Sequence, residues 1–185
     1  MLNSNDFLLP LDSKPGLMLS GGADSSLLLW LLVKNNFNLT TFTIERKHGE
    51  LENSKKIVDW VNNYFKSSIP YPVMMQPESN DHSMHIRFAL RKIFQKKLAS
   101  HLYFGITQNP PVKLSGNVPI RHSTDNEKLI TPFWHLNKQH IIHLYKNFDI
   151  MELFDITNSC QIYVDKHCGE CFHCQERSWG LNNGI

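Results

Sequence analysis

Long hydrophobic runs are missing from this 185-residue chain. The longest, residues 27–33 (Leu-Leu-Leu-Trp-Leu-Leu-Val), falls far short of the roughly 20 residues a membrane helix needs. The opening residues, Met1-Leu2-Asn3-Ser4-Asn5-Asp6, carry no basic stretch of the kind that begins a secretory signal. Both absences predict a cytoplasmic protein with no membrane partner. A dense basic cluster is also lacking, and a formal net charge of +2 does not argue for nucleic acid. The nearest thing to a basic face, Arg87 to Lys92 with Lys96 and Lys97, is expected to be the solvated side of an amphipathic helix. Histidines His48, His82, His85, His135, His140 and His143 show no metal-triad spacing. What remains, 41% hydrophobic and 19% charged, is the ordinary composition of one globular domain with a sizeable core.

Against that background two local patterns stand out. The first is Leu19-Ser20-Gly21-Gly22-Ala23-Asp24-Ser25-Ser26. Residues 16–19 before it read as a short buried strand and residues 26–33 after it as a helix, so the glycines fall at a strand-to-helix junction. Two adjacent glycines could serve as an ordinary turn there. They also let backbone approach a phosphate chain, the serine hydroxyls can donate to it, and the positive end of the helix faces it. Asp24 would repel that charge unless a divalent cation, Mg²⁺, lay between. The Gly-Lys-Ser/Thr ending of a Walker loop is absent; the pattern Ser-Gly-Gly-x-Asp-Ser resembles instead the PP-loop of ATP pyrophosphatases, which cleave ATP between the α and β phosphates.

The second pattern is cysteine. All 4 lie between Cys160 and Cys174, as Cys160, Cys168, Cys171 and Cys174, the last three in a Cys-Gly-Glu-Cys-Phe-His-Cys knuckle. Four thiolates at this spacing suit a closed tetrahedral Zn²⁺ site of structural type. An iron–sulfur cluster uses the same ligands, and disulfides are the third option, disfavoured in a cytosolic chain. His167 and His173 are read as flanking residues.

Coarse patterning places strands at 39–44, 69–75 and 101–106, the second cut by Pro70 and Pro72 and so irregular or at an edge. Helices are predicted at 50–65, 83–100 and 137–146. Residues 109–131 lack usable periodicity and read as a long loop, either a cover for the strand ends or an insertion without a chemical role. The alternation predicts an α/β fold, a parallel sheet with helices on both faces, binding ligands at the carboxyl ends of its strands. Residues 1–150 would form this domain and 151–185 a metal-binding tail packed on it. Trp30, inside an all-apolar helix, is expected in the core.

The loop at 20–26, together with Thr157-Asn158-Ser159-Cys160, Cys168-Gly169-Glu170-Cys171 and Cys174-Gln175-Glu176-Arg177, resembles the 7-cyano-7-deazaguanine synthase family. Arg46-Lys47-His48-Gly49-Glu50-Leu51 and Thr131-Pro132-Phe133 with Lys138-Gln139-His140-Ile141-Ile142 are similar to it as well. The resemblance implies an adenine nucleotide α-hydrolase-like fold and a ligase that adenylates 7-carboxy-7-deazaguanine with ATP, takes ammonia, and proceeds through the amide to the nitrile. It implies that Ser20, Gly21, Gly22, Asp24, Ser25 and Ser26 hold pyrophosphate and Mg²⁺, that the four cysteines hold zinc, and that the protein is a homodimer. Lys138 becomes a candidate for offsetting charge on the departing pyrophosphate, a surface lysine at a helix start being the other reading.

Two segments depart from the family pattern. Where relatives carry Pro-x-Arg-Asn and Tyr-Pro-Asp-Cys-Arg, this chain has Gln76-Pro77-Glu78-Ser79-Asn80 and Gln108-Asn109-Pro110-Pro111, both where the deazapurine is expected. Alternative readings are therefore a PP-loop enzyme adenylating for another acceptor, in tRNA thiolation or in conjugation of the deazaguanine to a protein N-terminus, and a non-catalytic zinc and nucleotide module.

Overall fold

The computed structural model describes residues 13–45, 49–76, 82–116, 120–121 and 127–182. Its centre is β1 (Pro15–Met18), paired in parallel with β2 (Thr40–Ile44) on one side and β4 (His101–Phe104) on the other. β3 (Val73–Met75) extends the sheet beyond β2 and β5 (Leu129–Ile130) beyond β4, giving the all-parallel order β3-β2-β1-β4-β5. The proline-cut segment is an edge strand, where a missing N–H costs least.

Side chains alternate across each strand and feed two cores. Leu17 and Tyr103 join a cluster built on α1 (Ala23–Lys34), α2 (Glu50–Phe65), α5 (Lys138–Asn147) and α6 (Met151–Asp155). Phe42, Leu102 and Phe104 face the opposite way, against Ala89 and Ile93 of α3 (His82–Gln95). Helices thus cover both faces, as the strand–helix alternation predicts. In α1 every residue except Asp24 and Lys34 is buried. Each fully buried leucine there contributes about 1.5–3 kcal/mol, so this helix anchors the larger core and fixes where its N-terminus sits. Trp30 lies in that core against Phe65 and Phe148.

Some boundaries differ from expectation. α1 starts at Ala23 rather than at 26, because the Ser25 and Ser26 hydroxyls bond back to the Gly22 carbonyl, at 3.2 and 2.8 Å, and sit inside the first turn. α3 stops at Gln95, where Lys97 adopts φ 53 and the Leu98 N–H reaches back to Ile93. Its Arg87 and Arg91 are solvent-exposed. β4 ends at Phe104 because Gly105 lies against the first turn of α1: a Cβ there would stand 2.7 Å from the Asp24 carbonyl carbon. The segment expected as one long loop contains α4 (Val112–Ser115) and β5. α6 and α7 (Phe172–Asn182) had no sequence counterpart, and α7 packs on α5 through Gly180, where a Cβ would meet Ile142 and Lys138. The Arg46-Lys47-His48 part of the family resemblance, the Pro77 to Asn80 departure, and parts of the 109–131 segment lie outside the described residues. Among the described residues no helix is long and apolar enough to cross a membrane.

Candidate functional site

The sheet order reverses between β1 and β4, and ligands of open α/β sheets bind outside the strand ends at such a switch point. A cleft of about 930 Å³ opens there. The residues after β1 form one wall. Gly21 takes φ +75, a backbone conformation that favours glycine. The Leu19 carbonyl is held by Thr43 Oγ1 at 2.7 Å and Ser54 Oγ at 3.2 Å, and the Gly21 carbonyl by Asn53 Nδ2 at 3.3 Å. Ser20 and Ser25 hydroxyls share a 3.1 Å bond at the cleft surface. Gly22, the N-cap of α1, brings no side chain to cap it, and the first turn of the helix, with its positive dipole end, lines the cleft, a geometry that suits an anion.

The facing wall is ionic. Lys138, in the first turn of α5, is buried at 5% exposure and its Nζ pairs with Asp24 Oδ1. Thr107 Oγ1 donates to the other Asp24 oxygen at 3.3 Å and receives Arg121 Nη1 at 3.0 Å. Arg121 then binds Glu176 of α7 bidentately, at 2.8 and 2.9 Å, while Lys138 Nζ lies 3.9 Å from the same carboxylate. Glu176 is 1% exposed. Burial alone would favour its neutral form, but the nearby His173 and the charges of Lys138 and Arg121 hold its carboxyl down at about 2. Two cations and two carboxylates thus neutralise one another across the cleft. Tyr145 ties α5 to the loop by donating to the Ala23 carbonyl at 2.7 Å, and burial, with the Asp24 charge, pushes its hydroxyl pKa well up.

Beside this wall the four cysteines converge. The sulfurs of Cys160, Cys168, Cys171 and Cys174 all lie within 4.8 Å of one another. Backbone N–H groups point at them: Tyr163 and Ile162 donate to Cys160 Sγ at 3.3 and 3.4 Å, Cys171 donates to Cys168 Sγ at 3.2 Å, and Gln161 donates to Cys171 Sγ at 3.4 Å. Against the effect of burial, these N–H groups pull the Cys160 thiol to about 6, whereas burial and the neighbouring thiols push Cys174 up to about 12. Thiols this close cannot all ionise without a cation among them, and four sulfurs with N–H support fit a tetrahedral Zn²⁺. His167 and His173 flank the cluster; His173 Nδ1 lies 3.8 Å from Glu176.

The model of the family described as queuosine biosynthesis protein QueC matches residues 107–184. Over those residues the chain is similar to that family. That match takes in Thr107, Lys138, Glu176 and the four cysteines, and leaves the loop at residues 20–26 outside it. Over 86% of this chain and 90% of theirs, the 7-cyano-7-deazaguanine synthases of Methanococcus maripaludis strains C6 and C5 are 24% and 23% identical to it. A solved NMN synthetase from Francisella tularensis superposes with a TM-score of 0.55 at 14% identity, over 94% of this chain and 78% of that one, a likeness of fold.

Of the loop residues singled out in the sequence, Leu19, Ser20, Gly22, Ala23, Asp24 and Ser25 line the cleft. Ser26 is fully buried and its hydroxyl is spent on Gly22. Lys138 is a cleft residue, so the surface-lysine reading is corrected: α5 places its first turn against Asp24 rather than solvent. Arg121 and the role of Glu176 were missed. Arg121 sits in a segment without periodicity, and the only available signal for Glu176 was its place between Cys174 and Arg177.

Proposed function

We propose that the chain is an ATP-dependent carbon–nitrogen ligase that converts 7-carboxy-7-deazaguanine and ammonia to 7-cyano-7-deazaguanine through an adenylated intermediate. The observation that carries this reading is one cleft lined both by the N-terminus of α1 with the Asp24–Lys138 pair and by a set of apolar side chains. Met18, Phe42, Ile44, Ile86, Phe104 and Ile106 are that apolar set, which suits a planar heterocycle.

A carboxylate oxygen is a poor leaving group, and transfer to AMP makes it a good one. Ser20, Ser25 and the N–H groups of the first turn of α1 would bind and orient the phosphate chain. Asp24 at the cleft, with phosphate oxygens and water, is the donor set that Mg²⁺ takes. Bound there, the ion would neutralise phosphate charge. Lys138, in the same place, would offset charge on the departing pyrophosphate, a task that needs a cation but no proton transfer. Glu176 would hold Lys138 and Arg121 on the wall. The four cysteines would hold zinc as a closed structural centre, outside the chemistry.

The test is incubation of the metal-loaded protein with Mg-ATP, ammonium and 7-carboxy-7-deazaguanine, following AMP, pyrophosphate and the base by mass spectrometry. Nitrile formed with AMP release is the expected result. The departure at Gln108–Pro111 favours a second reading, adenylation for another acceptor: here Gln108 N–H is committed to the Leu136 carbonyl and Asn109 Oδ1 to the Arg121 N–H. AMP without nitrile would select that reading, and no substrate-dependent AMP would remove both.

A further inference from the structure

We propose that Asn158 is a positioning residue that couples the four-cysteine knuckle to the phosphate loop, so that metal and nucleotide bind this chain cooperatively. The inference rests on nucleotide binding at the loop, as proposed above. Asn158 faces both sites. Its backbone N–H donates to the Gly21 carbonyl at 2.9 Å. Its side chain belongs to the knuckle: Oδ1 accepts the Cys160 N–H at 2.7 Å, and Nδ2 donates to the carbonyls of Tyr163 and Lys166, at 3.3 and 3.1 Å. Those three bonds span the loop between the first cysteine and the second, so the path of that loop fixes where the Asn158 backbone stands.

The Gly21 carbonyl is a sensitive place to be held. It shares one rigid peptide plane with the Gly22 N–H, which points the opposite way. Drawing the carbonyl back towards Asn158 and Asn53 aims the Gly22 N–H forward, to the side of the Ser20 hydroxyl at 3.4 Å and the cleft. Gly21 has the backbone freedom to rotate that plane when the hold is lost. Ser159 closes the back of the turn, its Oγ lying 2.8 Å from where a Cβ on Gly22 would be. From the other side Arg177, one turn after Cys174, donates to Thr157 Oγ1 at 2.7 Å and to the Phe154 carbonyl at 2.8 Å. Residues 157–159 are therefore clamped between two knuckle-borne anchors and delivered to the phosphate loop. Coupling of this kind is reciprocal: what metal does for nucleotide affinity, nucleotide does for metal affinity.

The reciprocal arm gives the test. Metal release from the loaded protein to the chromophoric chelator 4-(2-pyridylazo)resorcinol is timed with and without Mg²⁺ and α,β-methylene-ATP, whose α–β link resists cleavage, with binding of the analogue measured separately by calorimetry. In the parent chain the analogue slows release about tenfold. In Asn158→Ala the metal content stays at the parent level and the analogue still binds, but protection falls below about twofold. Asn158→Asp, which keeps Oδ1 and loses both Nδ2 donations, falls between and decides the matter if the alanine variant does not fold. Full protection in either variant overturns the role of Asn158. An analogue that binds the parent without slowing release overturns the coupling alone, and a parent that binds no analogue overturns the coupling and the proposed function together.

Discussion

The two walls of the cleft are held in place by different forces. The loop at residues 20–26 is one contiguous stretch at the head of α1, and the buried leucines of that helix hold it. The opposite wall takes Arg121, Lys138 and Glu176 from three separate segments, and what joins them is buried charge and a four-sulfur cluster. An apolar anchor tolerates the loss of one contact. A wall built from ions fails when one member leaves, because the remaining charges stay buried without partners.

The sharpest way to break the contrast is Cys171→Ser. Structural zinc binding is worth on the order of 10 kcal/mol and is part of the folding free energy. The variant is expected to lose its metal together with soluble yield and most of its thermal stability, checked by metal analysis and a melting curve. A well-folded, metal-free variant would show that the second wall needs no metal.

A smaller effect separates the two members of the central ion pair. Lys138→Met leaves the carboxylates of Asp24 and Glu176 facing an uncharged side chain, and breaking a buried pair in this way costs about 3–5 kcal/mol. Asp24→Asn leaves Lys138 beside Glu176 at 3.9 Å, so its melting temperature should fall less. Its AMP formation should drop by about 10²–10³ with metal content unchanged. Equal destabilisation by both changes would mean that Glu176 does not support Lys138.

The same division explains what was legible in the sequence. The helix expected at 50–65 is α2, because Ile57, Val58 and Val61 repeat on one face and polar residues fill the other. The strand–helix junction at the glycines was equally visible, since its signal is local. α7 was not: its buried positions are Cys174, Glu176, Arg177 and Gly180, a face whose period is carried by polar groups and a glycine rather than apolar side chains. β5 has two residues and exists only by pairing with Leu102 and Tyr103. Arg121 acquires its role from Glu176, 55 positions away, and no short-range pattern encodes that distance.

Glu176 gives the finest comparison, because one charge can be removed with its shape kept. Its folded carboxyl stands at about 2, below the ordinary 4.5, so the ionised form is favoured in the folded state. That contribution is complete above pH 4.5 and is lost as pH falls from 4.5 towards 2, by up to about 3 kcal/mol. Glu176→Gln should therefore be less stable than the parent at neutral pH, with the gap narrowing through this window. Urea unfolding of both chains at pH 6, 4 and 3 measures it. A gap that stays constant from pH 6 to 3 would mean that Glu176 is held by shape rather than by the charges of Arg121 and Lys138, and the second wall would then resemble the first.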